Sequence, residues 1–182
     1  SPAGTPKFTN PKSIDNPYLP LLKVTVQVLE GRDDGRPARI ERKRLVGEKI
    51  FNINGQQVAG MIVEDRDYHS GKLSEVTKDY FAQSDDGAVY YLGEDVDNYR
   101  IGRVVGHEGA WLAGVKRLPP GVMMPAKPAL GLKFKSENVK GVTTEDDEIA
   151  ATGEIARPGV TMPMRARRKI STAAVDCIGC SS

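Results

Sequence analysis

From Leu22 onward the chain is written in short apolar or alternating runs, each closed by a turn signal. Val24, Val26 and Val28 are interleaved with Thr25 and Gln27, a period-2 pattern that predicts a strand. Asp33-Asp34-Gly35 then turns the chain into residues 38–42, which alternate again. Further turn signals fall at Asn54-Gly55, Ser70-Gly71, Asp85-Asp86-Gly87 and Ile101-Gly102. Between them lie runs rich in β-branched and aromatic residues, at 57–63, 73–81, 88–92, 99–105 and 108–112. Short runs at this spacing describe hairpin-connected antiparallel strands, and no long stretch keeps a 3.6-residue period. The expectation is an all-β, single-domain antiparallel meander, with a curved half-barrel as one form it can take.

The flanks break this rhythm. Residues 1–21 carry Pro2, Pro6, Pro11, Pro17 and Pro20 and predict an extended N-terminal arm, which Phe8, Tyr18 and Leu19 can pin to the body. Pro119-Pro120-Gly121, Pro125 and Pro128 interrupt the strands before another at 132–135. The β domain is expected over 22–149. Residues 150–182 form a basic segment, either loosely held or completing the sheet. Its Arg157, Arg165, Arg167, Arg168 and Lys169 follow an acidic knot at Glu145-Asp146-Asp147-Glu148.

Charge narrows the partners. The 26 Lys and Arg against 24 Asp and Glu give a net charge of +2, so no overall field favours nucleic acid. The basic tail has no interleaved aromatics for base stacking, and no apolar run reaches the roughly 20 residues of a membrane span. Segment 64–97 holds ten acids against three bases, an asymmetry able to dock the tail or to steer self-association.

Candidate chemistry is sparse. With only His69 and His107 as imidazoles, no G-x-S-x-G turn and no H-E-x-x-H, the expectation is a non-enzymatic protein. Carboxylates offer a metal site: Asp65 and Asp67 share one face of an extended segment, and Asp95 and Asp97 share one face of another. With Glu94 and His107 as further donors, oxygen ligands from two neighbouring loops suit Ca²⁺, which tolerates irregular geometry. The competing reading is a solvated acidic edge. Tyr68, Tyr91, Tyr99 and Trp111 fall within the meander and are candidates for a ligand or partner surface, or for core. A carboxylate-based hydrolase ranks third. Cys177 and Cys180, a C-x-x-C near the C-terminus, form a disulfide or a thiol pair.

Several stretches carry a family resemblance: residues 14–21 (Ile-Asp-Asn-Pro-Tyr-Leu-Pro-Leu), 79–83 (Asp-Tyr-Phe-Ala-Gln) and 89–96, together with His107-Glu108-Gly109-Ala110-Trp111 and residues 120–126. Over about residues 8–148 the chain resembles a family of bacterial secreted all-β proteins to which no activity is assigned. The resemblance implies an extracytoplasmic antiparallel domain, a half-barrel around a helix or an apolar trough, and carries no catalytic residue with it. Members continue with Val-x-Val-Pro-x-Gly-Thr-Phe, whereas this chain reads Val160-Thr161-Met162-Pro163-Met164-Arg165. The opening Ser1-Pro2-Ala3-Gly4 fits a secreted chain whose leader is absent. The combined expectation is an extracytoplasmic binding or assembly domain. Its partner is expected to be a protein, a second copy or a small apolar ligand.

Overall fold

The structure is a computed structural model that describes residues 5–151 and the backbones of 154–157, 160–163 and 167–170. Nine strands form one antiparallel sheet: β1 (Val26–Asp33), β2 (Arg36–Arg44), β3 (Lys49–Ile53), β4 (Gln56–His69), β5 (Lys72–Gln83), β6 (Val89–Arg100), β7 (Arg103–Gly106), β8 (Trp111–Leu112) and β9 (Gly121–Met124). A smaller sheet joins β10 (Lys133–Val139), β11 (Thr143–Glu148) and β14 (Arg167–Ile170), while β12 (Glu154–Arg157) pairs with β13 (Val160–Pro163). The large sheet runs β1-β2-β4-β5-β6-β7 and does not close into a barrel. The chain is an all-β meander.

Four of its hairpins turn on two residues, both with positive φ: Asp34-Gly35, Asn54-Gly55, Ser70-Gly71 and Ile101-Gly102. This is the turn whose twist matches that of the flanking strands, and Asp, Asn and Gly enter it at low cost. Ile101 does not, because its branched Cβ opposes a φ of 51°.

Strand β4 is long enough to serve two partners. Its first half, 56–60, pairs with β3, and its second half, 63–69, with β2. Likewise β6 pairs with β9 through 89–91, with β8 through 93–94 and with β7 through 98–100. Each of the three central strands therefore has an apolar half and an acidic half. In the apolar half, Val58, Met61, Phe81, Ala82, Val89, Tyr90 and Leu92 are buried and pack with Ile14, Phe51, Trp111, Met124, Val139 and Ile149.

The sequence pattern puts separate strands at 88–92 and 99–105 with acidic loop between them, yet β6 runs unbroken through Glu94, Asp95 and Asp97. The acids of 64–67 likewise lie inside β4 rather than at its end. The pairing with β5, which lies between β4 and β6, supplies backbone partners whatever the side chains are.

The proline-rich arm is anchored by Ile14, which is fully buried, while Phe8, Tyr18 and Leu19 pack against the core. Asp85, at the β5–β6 turn, accepts hydrogen bonds from the Thr9 amide (2.7 Å) and hydroxyl (2.8 Å). Asn16 donates to the Gly87 carbonyl at 2.8 Å. Phe8 meets Tyr90 edge-on, with ring centroids 5.5 Å apart. The basic C-terminal strand β14 runs antiparallel to β11, with Arg167, Arg168 and Lys169 at the positions facing Glu148, Asp147 and Asp146.

Candidate functional site

Register decides which side chains meet. Across the acidic half, Val63, Asp79 and Glu94 lie in one row, Asp65, Thr77 and Val96 in the next, and Asp67, Glu75 and Asn98 in the third. Directly opposed residues of antiparallel strands project to the same face, so Asp65, Asp67, Glu75, Asp79 and Glu94 share a face. Arg42, opposite Asp65 on β2, joins them. Asp95 and Asp97 project to the other side.

The alternation is broken once, at a β-bulge. Tyr80 pairs with Gly93 and Phe81 with Tyr91, leaving Leu92 as the extra residue. Gly93 takes a φ of 106°, and a Cβ there would lie 2.1 Å from the Trp111 carbonyl oxygen. The bulge places Tyr91 and Glu94 on one face, where strict alternation would separate them. The Tyr91 hydroxyl can then donate to Asp79 Oδ1 at 2.6 Å, while Thr77 Oγ1 donates to Asp79 Oδ2 at 3.0 Å.

Arg42 brings a guanidinium onto Asp65. Its Nε donates to Asp65 Oδ1 at 2.9 Å and its Nη2 to Asp65 Oδ2 at 2.5 Å, a two-point clasp. The remaining carboxyls share little compensation. Burial, then the Asp65 charge, pushes Asp67 up to about 6. Burial, then Asp67 and Asp79, pushes Glu75 up to about 7. Asp79 and Glu94 are both raised, mainly by burial, and Glu94 is raised further by the charges of Asp79, Glu137 and Glu75. Two carboxyls crowded in this way hold protons that water would otherwise take.

Glu137 reaches the same face from β10. Trp111 Nε1 donates to its Oε1 at 3.0 Å, and the Thr143 hydroxyl donates to Oε2. Trp111 and Tyr91 are buried, with rings edge-on at 5.5 Å, so both belong to the core. Tyr68 and Tyr99 lie on the opposite, partly open face, with Arg66 exposed near both. The aromatic candidates thus divide between the two faces.

The metal candidates divide too. Asp65 is held by Arg42, whereas Asp95 Oδ2 accepts from Tyr80 (2.5 Å) and Lys49 (2.9 Å). Asp97 pairs with His107 Nδ1 at 3.0 Å, and the same nitrogen lies 2.7 Å from the Val96 carbonyl, to which it donates. Among the described residues, no group of three or more His, Cys, Asp or Glu is arranged to hold a metal ion. Cys177 and Cys180 lie outside the described residues.

Arg42, Glu75, Asp79 and Glu137 were not singled out from sequence as site residues. The available signal was Gly93: an isolated glycine inside a strand run marks a bulge, and a bulge changes which neighbours share a face. Two surface hollows form at the β1–β2 corner. The larger, about 550 Å³, is lined by Glu30, Pro37, Arg39, Glu41 and Tyr68, and the smaller lies around Asp33 and His69. Neither contains Asp79 or Glu94. No protein-family model, curated protein or solved structure matches the chain.

Proposed function

We propose that the chain is a non-enzymatic, extracytoplasmic assembly domain that meets the surface of a second copy through the acidic half of its large sheet. The observation that carries this reading is the partly open face of that half, where half-buried Tyr68, Val76 and Tyr99 stand among exposed Arg39, Arg66 and Lys78. Such a mixture suits a protein partner, in which charges meet charges around aromatic anchors, better than a small apolar ligand. The raised carboxyls lie on the other face, against Arg42, Tyr91, Thr77 and one another. Their arrangement supports a structural role over acid–base turnover. The extracytoplasmic setting rests on the resemblance to secreted proteins.

Sedimentation velocity over a hundredfold concentration range tests the reading. Mass rising above 19.8 kDa, with a melting temperature that rises alongside it, is the expected result. A single 19.8 kDa species with a constant melting temperature would overturn it.

A further inference from the structure

Register brings three turns of the large sheet out at one end. Ala38 of β2 faces His69 of β4, and Glu75 of β5 faces Asn98 of β6. The turns at Asp34-Gly35, Ser70-Gly71 and Ile101-Gly102 therefore stand side by side. The Ser70 amide, donating to the Pro37 carbonyl at 2.8 Å, ties the first two together.

A net charge of +2 for the whole chain hides what this end carries. Arg36, Lys72, Arg100 and Arg103 flank the turns, and all are exposed. Acids stand only at the first turn, where Asp33 lies 3.5 Å from His69 Nδ1. Residues 68–74 and 98–107 contain none, and among the described residues Lys72, Arg100 and Arg103 form no ion pair.

Ile101 is the outlier of this end. It is 95% exposed, and its φ of 51° is one that a branched residue adopts at a cost. Asparagine or glycine would meet the same turn freely. Val104 and Val105 behind it are exposed as well. No burial within the fold offsets the strain, which is the kind kept for a contact outside it.

The order of groups at the tip identifies that contact. Ile101 leads, Arg100 and Arg103 stand one step behind it, and Lys72 begins the adjacent strand β5. A bilayer has the complementary order, an anionic phosphate layer over an apolar interior. A protein would need a hollow shaped for Ile101 and an acid placed for each cation, whereas an anionic bilayer supplies both at every point of its surface. We propose that this end of the sheet docks on an anionic lipid surface, with Ile101 in the boundary between headgroups and acyl chains and Arg100, Arg103 and Lys72 on phosphates. The proposal goes beyond the assembly reading and does not depend on it.

Co-sedimentation of the full chain with vesicles of phosphatidylglycerol and phosphatidylcholine in equal parts tests it. Binding is expected at about 0.1 M salt, and should be lost at about 1 M, where the Debye length falls to ~3 Å, and on phosphatidylcholine alone. Arg100→Ala combined with Arg103→Ala should weaken partition about thirtyfold, the scale of two cations leaving an anionic surface. Ile101→Asn suits the turn, so the melting temperature should rise while partition falls about tenfold. No binding to the anionic vesicles at low salt would overturn the proposal and leave the tip to an acidic protein. Binding unchanged in both variants would also overturn it, and would assign the lipid contact to the basic residues of 157–169.

Discussion

The same three strands do opposite things along their length. In one half of β4, β5 and β6, Val58, Met61, Phe81, Ala82, Val89 and Leu92 are buried among apolar neighbours. In the other half, Asp65, Asp67, Glu75, Asp79 and Glu94 share a face on which Arg42 clasps Asp65 alone. The backbone ladder is continuous through both, so hydrogen bonding does not distinguish them. Their sources of stability do. Apolar burial is indifferent to pH, whereas Asp67, Glu75, Asp79 and Glu94, each raised by burial, favour the fold more when they hold their protons.

Gly93 is the joint between the halves, and altering it should have the largest effect. Gly93→Ala puts a Cβ into the Trp111 carbonyl and forces an unfavourable φ. The expected loss is about 4 kcal/mol or more by chemical denaturation. A loss below about 1 kcal/mol would mean that the bulge does not set the face of Glu94.

Glu137 comes next. Glu137→Ala strands the Trp111 N–H and should cost about 1–3 kcal/mol. Glu137→Gln keeps an acceptor for it and removes a charge facing Glu94, so it should cost less. Equal losses in the two variants would place the importance of Glu137 in something other than this bond.

The smallest effect is the most specific. Asp67 and Glu75 titrate near 6 and 7 in the folded chain, above the ~4 of an unfolded carboxyl. The folded state thus binds more protons. The stability this provides is complete below about pH 4 and is lost as pH rises through 6 and 7. Asp95, lowered by Tyr80 and Lys49 against the opposing effect of burial, contributes in the opposite sense, and its share is lost as pH falls below about 4. Melting temperature should therefore peak in mild acid. Glu75→Gln should raise it by roughly 2–4 °C at pH 8.5 and leave it unchanged at pH 4.5, an effect moderated by the partial exposure of the site. A gain at both pH values would assign the effect to something other than charge.

These contrasts also explain what the sequence made legible. Turns were readable because Asp-Gly, Asn-Gly and Ser-Gly satisfy a specific backbone demand within two residues. The arm was readable from its prolines. The acidic half was not, because Glu94-Asp95-Val96-Asp97 looks like loop unless the strand beside it is known. Nor could alternation alone pair Tyr91 with Glu94, since the bulge at Leu92 shifts the frame by one. Alternation puts Asp65 with Asp67 and Asp95 with Asp97 as donors from neighbouring segments, and register sends the two pairs to opposite faces. Periodicity describes one strand at a time, whereas a site is a property of several in register.

Hydrogen exchange along β5 tests the contrast most directly, because residues 72–79 and 80–83 belong to one strand but to different halves. Opening free energies, corrected for intrinsic exchange, should fall between pH 5 and pH 8.5 for the amides of 72–79 and stay level for those of 80–83. A parallel fall in both, or none in either, would contradict the account.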